Sequence, residues 1–387
     1  MNQGGSLDER EAYVAFNLTD RIGSVKVAEL ALEHGSVAAA WLALPLKASR
    51  SGGEIDVRAE FALAKRYGVE IVTPADAAYP PRLLDQPSHP LALYVKGDVS
   101  LLSSPSVAMV GTRRATPYGL DQAFRISRDL ARHGWTIVSG LALGIDAESH
   151  RGALAADGKT VGIIGSGLDR FYPEENRALA REIVEKGGAV VSEFPFGRQP
   201  DQQTFPQRNH VVAALVRGVV AVEAPVKSGT LITTSLAADM GRVVMAVPGR
   251  VDARASSGCN ALIRDGARLV RNAADVEEEL SELLPEAKKS TARRIRRAAK
   301  PKPDSPTAES EPAAMPAPEP QTPSAPPFSV EEAMVMREVD ADGVQMDVLV
   351  RRTGLPVEKV NALCMALRLK GRVRFFPGNR VALPREA

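Results

Sequence analysis

Small, hydroxyl-bearing and cationic residues recur directly after short apolar runs in the middle of the chain. One such run is followed by Gly111-Thr112-Arg113-Arg114, and another ends at Ser139-Gly140. Ser228-Gly229-Thr230, with Lys227 beside it, stands at the start of a predicted helix. Small residues let backbone N–H groups approach a ligand, and helix N-termini and guanidinium groups attract anions. The pattern predicts a phosphate site, although Arg113 and Arg114 could also be a solvated pair.

A second constellation is Phe205-Pro206-Gln207-Arg208-Asn209, which we place just before an apolar helix over Val211–Val216. Phe205 could stack on a nucleobase while Arg208 holds a phosphate, which is the usual arrangement for single strands. The competing interpretation puts Phe205 in the core and makes Arg208 a structural ion-pair partner. The sequence leaves both interpretations open.

Candidates for catalysis are fewer. Glu193 and Glu223, at neighbouring strand ends, are the best acid–base candidates, but either carboxylate can instead hold a loop by accepting backbone N–H groups. Asp146 and His150 lie four residues apart on a predicted helix, and we interpret His150 as a capping or packing residue. No second His or Cys accompanies them at ligand spacing, so we expect no metal.

Two nucleotide-binding fingerprints are incomplete. Gly165-Ser166-Gly167 begins like a dinucleotide fingerprint, but Arg170 stands where the third glycine belongs. A P-loop, which ends in Gly-Lys-Ser/Thr, is absent from the sequence. We therefore expect no cofactor.

These residues need a scaffold that brings strand ends together. Between residues 106 and 271, short β-branched runs alternate with amphipathic stretches of helix length, which indicates a parallel sheet covered on both faces. Right-handed crossovers make such a sheet doubly wound, and its ligands bind beyond the carboxyl ends of the strands. The predicted strands are 107–110, 136–139, 160–164, 189–192, 218–224 and 243–247, and the predicted helices include 118–133, 174–186 and 231–240.

Composition divides the chain into further segments. We predict a helical N-terminal domain over 1–100, an α/β domain over 101–285, a basic and then Pro/Ala-rich linker over 286–327, and a last domain over 328–387. Helices are predicted over 12–18, 25–34 and 57–67. In the last domain, helix, turn and helix over 346–370 precede a β-hairpin.

The whole-chain composition excludes several classes of protein. The 387 residues include 49 Lys plus Arg and 47 Asp plus Glu, so the formal charge of +2 does not by itself argue for nucleic acid. Cys259 and Cys364 are the only cysteines, which excludes a disulfide framework. The N-terminus lacks the apolar stretch of a signal peptide, and no run approaches the roughly 20 apolar residues of a membrane span. We expect a soluble, cytoplasmic protein without membrane contact.

At many ordered motifs the chain resembles the DNA-processing protein A (DprA/Smf) family of bacterial transformation. The resemblance covers most of the chain. The motifs are Tyr79-Pro80-Pro81-Arg82-Leu83, Leu93-Tyr94-Val95-Lys96-Gly97, Val110-Gly111-Thr112-Arg113, Thr116-Pro117-Tyr118-Gly119, Val138-Ser139-Gly140-Leu141-Ala142, Gly144-Ile145-Asp146, Gly167-Leu168-Asp169, Tyr172-Pro173, Phe205-Pro206-Gln207-Arg208-Asn209, Ser228-Gly229-Thr230-Leu231-Ile232-Thr233, Val247-Pro248-Gly249 and Gly258-Cys259-Asn260 with Leu262-Ile263.

The resemblance implies an extended Rossmann-like domain that binds single-stranded DNA without enzymatic turnover. It also implies a homodimer that protects incoming DNA in transformation and recombination and helps load a RecA-type recombinase. A sterile-alpha-motif-like (SAM-like) module at the N-terminus, around residues 18–23, and a C-terminal winged helix complete the family's pattern. The DNA contacts that it implies are Gly111, Thr112, Arg113, Arg114, Ser139, Gly140, Phe205, Arg208, Asn209, Lys227, Ser228, Gly229 and Thr230.

Three positions depart from the family's pattern. Thr112 replaces the usual Ser, and His210 replaces an Arg, which removes a permanent charge. Gln202 stands near a position where some relatives carry a cation. We therefore expect DNA binding to depend more on Arg113 and Arg114.

Two other functions remain as alternatives. The Ser228-Gly229-Thr230 loop is similar to the phosphate loop of phosphoribohydrolases in the lysine-decarboxylase-like group, but Thr233, Thr234 and Ser235 stand where that group has a glutamate. The second alternative is a regulator that binds duplex DNA through the winged helix, whose basic end carries Arg368, Lys370, Arg372, Arg374 and Arg380. Protein–protein contact is the competing use of that domain.

Overall fold

A nine-stranded sheet organises the larger part of the protein in the computed structural model, which describes residues 7–19, 22–44, 55–281, 330–340, 343–370, 372–376 and 380–383. The strand order is β1-β2-β6-β5-β4-β3-β7-β8-β9. In this spatial order, all neighbouring strands from β6 across to β9 pair in parallel. At the other edge β1 pairs antiparallel with β2, and β2 pairs antiparallel with β6. The strands are β1 Glu70–Val72, β2 Leu93–Gly97, β3 Ser106–Val110, β4 Thr136–Ser139, β5 Thr160–Ile163, β6 Ala189–Ser192, β7 Gly218–Ala221, β8 Val243–Ala246 and β9 Arg268–Leu269.

Helices cover this sheet, and those that follow the parallel strands β3–β8 have their N-termini at its carboxyl edge. The central strands are buried throughout, which explains their β-branched, non-alternating sequences. Helix α6 begins at Pro117 with Thr116 as its N-cap, whose Oγ1 accepts from the Gly119 N–H at 3.2 Å. The helices of this part are α1 Glu9–Leu18, α2 Ser24–His34, α3 Val37–Ala43, α4 Val57–Tyr67, α5 Pro81–Leu84, α6 Pro117–Arg132, α7 Ile145–Ala155, α8 Arg177–Glu185, α9 Thr204–Leu215, α10 Gly229–Asp239, α11 Ser257–Arg264 and α12 Ala273–Leu280.

The N-terminal helices pack against the antiparallel edge of the sheet. A capping box between Asp8 and Glu11 starts α1. Phe16 and Trp41 meet edge to face with ring centroids 5.2 Å apart, and the same cluster includes Tyr94 of β2. The sheet therefore extends across the predicted domain boundary at residue 100, because β1 and β2 belong to it.

The C-terminal part forms a separate small body. By contacts the chain divides into residues 1–283 and 284–387. A three-stranded antiparallel sheet, in the order β10-β12-β11, packs with three helices around buried apolar residues that include Cys364. Its elements are α13 Val330–Glu338, β10 Val344–Gln345, α14 Met346–Thr353, α15 Val357–Leu369, β11 Arg374–Phe376 and β12 Arg380–Ala382.

The predicted fold class is confirmed: a mostly parallel, doubly wound sheet with an N-terminal helical part and a C-terminal winged helix. Helix α3 was not predicted. The Phe205–Asn209 motif was placed before a helix, but it lies inside α9, which begins at Thr204. The predicted linker and its basic segment over 286–327 lie outside the described residues. Within the described residues, no helix is both long and apolar enough to cross a bilayer.

Candidate functional site

A cleft of about 540 Å³ lies at the carboxyl edge of the sheet, between the loop after β3 and the N-termini of α9 and α10. The structure brings almost all of the predicted site residues together here, although they come from four distant stretches of the chain. Its lining includes Gly111, Thr112, Arg113, Arg114, Gly140, Phe205, Arg208, Asn209, Lys227, Ser228, Gly229 and Thr230.

Ser139 is the exception among the predicted contacts. It is fully buried, and its hydroxyl donates to the Met109 carbonyl at 2.6 Å. Ser139 is the last residue of β4, and its hydroxyl lies within reach of β3 and of the buried Asp146. The Ser139 hydroxyl therefore supports the sheet and does not line the cleft.

The loop that carries Arg113 and Arg114 is held at both ends. Thr112 donates its N–H to the Glu223 carbonyl at 2.7 Å, and its own carbonyl accepts from the Ile145 N–H at 3.3 Å. The buried Glu223 carboxylate accepts from the N–H and the hydroxyl of Thr116, both at 2.7 Å. Because these contacts fix the loop, the two exposed arginine side chains project from a rigid base.

Phe205 forms an aromatic wall of the cleft. The Arg113 guanidinium carbon lies 5.2 Å from its ring centroid, within cation–π range. On another side, the Tyr172 ring centroid lies 5.9 Å away with a tilt of 53°. Phe205 is partly exposed, so the interpretation that puts it in the core is wrong.

Arg208 lies beneath this wall and is buried. Its Nη1 donates to the carbonyls of Gly140 and Ile163, the latter at 2.9 Å, and its Nε donates to the Asn209 Oδ1 at 3.1 Å. Its guanidinium therefore joins α9 to the ends of β4 and β5. This contact pattern matches the structural interpretation of Arg208.

Asp146 is a buried carboxylate whose charge interacts with that of Arg208. Its Oδ2 accepts from the N–H groups of Gly140 at 3.1 Å and Ala142 at 3.4 Å. Burial raises the pKa of Asp146, and the Arg208 guanidinium and these N–H groups oppose that rise. A Cβ at Gly140 would overlap both the guanidinium and the carboxylate, so only glycine fits between them.

The N-terminus of α10 provides the opposite wall. Ser228 is its N-cap residue, but its hydroxyl makes no capping bond and has no hydrogen-bond partner among the described residues. The first N–H groups of α10 therefore point towards the cleft without a side-chain acceptor. Together with the exposed Lys227, this end of the helix carries positive potential.

The balance of charge in the cleft favours an anion. Arg113, Arg114, Arg208 and Lys227 line it, and Asp146 is the only acidic residue among the described lining residues. Asp146 is already engaged by Arg208 and two backbone N–H groups. The net positive lining and the aromatic wall suit a ligand with both phosphates and bases.

The two predicted acid–base candidates, Glu193 and Glu223, do not lie together. Glu193 and Glu223 follow β6 and β7, which are consecutive in sequence, but β5, β4 and β3 lie between these strands. With a strand spacing of about 4.8 Å, their strand ends are about 19 Å apart. Glu223 holds the Thr116 loop, as one interpretation of the sequence proposed.

His150 is a packing residue. It is fully buried, and its Nδ1 lies 2.6 Å from the hydroxyl of Thr160, which donates to the Ile137 carbonyl. The Thr160 Oγ1 therefore accepts a hydrogen bond from the Nδ1–H of a neutral imidazole. Burial lowers the pKa of His150 to about 3. No cluster of three or more potential metal ligands occurs in the described residues.

Two positions that depart from the family's pattern, Gln202 and His210, differ in their relation to the cleft, and one further aromatic residue lies at the site. Gln202 is exposed and lines the cleft, whereas the His210 Nε2 lies 3.0 Å from the Ser88 hydroxyl. Tyr172, which is 47% exposed, belongs to the Tyr172-Pro173 motif of the family resemblance, but the resemblance does not place it among the DNA contacts. Its signal was an aromatic residue in the loop after β5, at the same edge as the other site residues.

The fold and the cleft together define a class: a Rossmann-like α/β protein with a cationic, partly aromatic cleft at its carboxyl edge and a winged helix after it. Comparison with known proteins identifies the family. The family model described as DNA recombination-mediator protein A matches residues 70–281, and that of the DprA winged helix domain matches residues 316–379. The chain belongs to the DNA recombination-mediator protein A family.

Individual relatives agree with this assignment. The chain is 34% identical over 316 residues to Protein Smf of Escherichia coli K12, which covers 81% of this chain and 77% of that protein. It is 41% identical over 204 residues to the DNA processing protein DprA of Streptococcus pneumoniae, which covers 53% of this chain and 72% of that protein. The Streptococcus pneumoniae relative is named for DNA processing.

Two solved structures share the fold. The X-ray structure of DprA from Streptococcus pneumoniae superposes with a TM-score of 0.59 at 33% identity, over 71% of this chain and 99% of that chain. DNA processing protein A from Helicobacter pylori superposes with a TM-score of 0.51 at 31% identity, over 56% of this chain and 98% of that chain. The latter structure was reported for its single-stranded DNA binding mode.

Proposed function

We propose that this protein binds single-stranded DNA in the cleft at the carboxyl edge of its sheet. The observation that carries the proposal is the pairing of Arg113 with Phe205 at the cleft wall. A guanidinium and an aromatic ring at one position can hold a phosphate and a base of the same strand. Arg114, Lys227 and the N-terminus of α10 extend the positive lining along the cleft.

The shape of the wall favours a single strand over a duplex. Phe205 contacts Arg113 and Tyr172 and is only partly exposed, so a base that stacks on its ring has to be free of its own neighbours. In a duplex the base faces are covered by their neighbours, and unstacking one costs a few kcal/mol. The cleft therefore selects strands whose bases are already exposed.

The family supports a wider role. We infer that the protein acts as a homodimer in the cytoplasm during natural transformation and recombination. There it protects incoming single strands and helps to load a RecA-type recombinase onto them. The cleft acts in this role by binding alone, because its acidic residue, Asp146, is engaged by Arg208 and two N–H groups.

The primary test is fluorescence anisotropy of labelled single-stranded and duplex oligonucleotides over a salt series. We expect tighter binding of the single strand and a dissociation constant that rises with salt, with a slope of about 0.7 per phosphate contacted. Equal affinity for the duplex, or an affinity independent of salt, would contradict the proposal.

Two further assays test the wider role. Recombinase filament formation on single strands coated with a single-strand-binding protein should be faster when this protein is present, and an unchanged rate would count against the loading role. Incubation with adenosine monophosphate should leave the nucleotide intact. Release of free adenine would revive the phosphoribohydrolase alternative.

A further inference from the structure

A second groove lies beside the cleft, between α8 and the strands β6 and β2. It has a volume of about 500 Å³. Its floor is apolar and includes Leu168, Val184 and Val190. Lys96 pairs in register with Val190 and stands at its far side, so a cation borders the apolar floor.

The loop after β5 connects this groove to the cleft. Tyr172 faces Phe205 in the cleft wall, whereas the preceding residue, Phe171, lines the groove. The buried Asn176 side chain donates to the carbonyls of Leu141 at 2.8 Å and Ala142 at 3.0 Å, and Ala142 lines the cleft. The start of α8 is thereby tied directly to the cleft wall.

The groove repeats the chemistry of the cleft. The Arg177 guanidinium carbon lies 5.5 Å from the Phe171 ring centroid, as Arg113 lies over Phe205. Arg177 also pairs with Glu174 at 2.6 Å, so its charge is compensated. Arg181 follows one helical turn later, about 6 Å along α8, and lines the same groove.

We propose, building on single-strand binding in the cleft, that the bound DNA strand continues past Tyr172 and Phe171 into the groove along α8. The bases lie on Phe171 and the apolar floor, and the phosphates face Arg181 and Lys96. Among the described residues, neither cation forms an ion pair within 4 Å, as Arg177 does with Glu174. Arg181 interacts with Glu174 only at longer range. Glu185, at the far end of α8, ends the path because it repels phosphate.

Anisotropy with oligothymidylates of two lengths tests this path. An oligomer of about 4 nucleotides fills only the cleft, and one of about 14 nucleotides can enter the groove. The wild-type protein should bind the longer oligomer more tightly. In Arg181→Glu and Lys96→Glu, affinity for the longer oligomer should fall about tenfold at low salt, with a salt slope smaller by about 0.7. Affinity for the shorter oligomer should stay the same.

The matched control is Arg132→Glu, which makes the same charge change at the C-terminal end of α6, outside the described lining of both the cleft and the groove. It should bind both oligomers as the wild type does. Arg181→Gln removes the same charge without adding a negative one, so it checks that the result of Arg181→Glu is not a folding defect. Its affinity for the longer oligomer should also fall, but by less.

Unchanged binding of the longer oligomer by both charge reversals overturns the groove path. If, in addition, Arg113→Glu binds neither oligomer, the cleft remains the DNA site and only the groove path is wrong. If the wild type binds neither oligomer, both the proposed function and the groove path are wrong.

Discussion

The guanidinium carbon of Arg113 lies 5.2 Å from the centre of the Phe205 ring, although the two residues are far apart in the sequence. Arg113 comes from the loop after β3 and Phe205 from the first turn of α9. Their contact forms part of one side of the cleft and places a cation beside an aromatic face. A base that stacks on Phe205 brings its phosphate within reach of Arg113.

We expect Arg113→Glu to abolish binding of single-stranded DNA and to leave the fold intact. The side chain is exposed, so charge reversal removes a phosphate contact and adds repulsion without disturbing packing. Anisotropy measures the binding, and circular dichroism and thermal unfolding check the fold. Full affinity in a folded variant would show that the cleft is not the DNA site.

Arg208 should behave differently from Arg113. Arg208→Gln leaves Asp146 buried without its cation, so the free energy of unfolding should fall by about 3–5 kcal/mol. A second substitution, Asp146→Asn, removes the uncompensated charge and should restore part of that loss. Urea unfolding measures both variants.

The salt slope of DNA binding then separates a positioning role from a direct contact. For the folded fraction of the Asp146→Asn, Arg208→Gln variant, we expect a slope equal to that of the wild type. A slope smaller by about 0.7 would mean that Arg208 contacts a phosphate.

Phe205→Ala tests base stacking. Loss of an aromatic stacking partner should weaken single-strand binding by about 1–3 kcal/mol. The ring is partly exposed, so the loss in unfolding free energy should be smaller than the about 3–5 kcal/mol typical of a buried Phe. Unchanged affinity with a core-sized loss of stability would return Phe205 to a packing role.

Gln202→Lys should strengthen binding. Gln202 is exposed in the cleft lining, and a lysine there adds a cation near the strand. We expect several-fold tighter binding at low salt and a slope larger by about 0.7. Gln207→Lys is the matched control, because Gln207 is exposed on α9 but does not belong to the cleft lining of the described residues. Equal gains in both variants would indicate only long-range attraction.

The buried His150 should make the free energy of unfolding fall as the pH is lowered. Burial holds its pKa at about 3, and its Nε2 has no hydrogen-bond partner among the described residues, so an added proton would be buried and unpaired. An imidazole in the unfolded chain titrates near about 6.5. Between these values the unfolded chain binds more protons, so the stabilisation is complete above about pH 6.5 and falls by about 1.4 kcal/mol per unit below it.

The comparison with His150→Gln isolates this contribution. Glutamine cannot titrate, and the other histidines are the same in both proteins. Urea unfolding at about pH 7.5 and about pH 5.5 should show a smaller acid-induced loss for the variant, by about 1.4 kcal/mol. Equal losses would assign the acid sensitivity to other groups.

Much of the architecture could be predicted from the sequence because buried strands have a recognisable local pattern, a short run of apolar and β-branched residues. The β-branched runs at 136–139 and 189–192 coincide with β4 and β6 residue for residue. A strand buried on both faces is apolar at every position, whatever its neighbours are. The glycines, hydroxyls and cations that follow such strands then indicate the functional edge, because parallel strands end on the same side.

The tertiary structure alone decided which of those residues meet. Glu193 and Glu223 follow consecutive strands of the sequence but lie on separate halves of the sheet, because the strand order is set by long-range packing. Phe205 and Arg208 come from one short motif, but they lie at different positions around helix α9. Phe205 is therefore partly exposed in the cleft, whereas Arg208 is buried beneath it. The sequence by itself determined the fold class and the edge that binds, whereas burial and strand order, which depend on contacts distant in sequence, assigned each side chain its role.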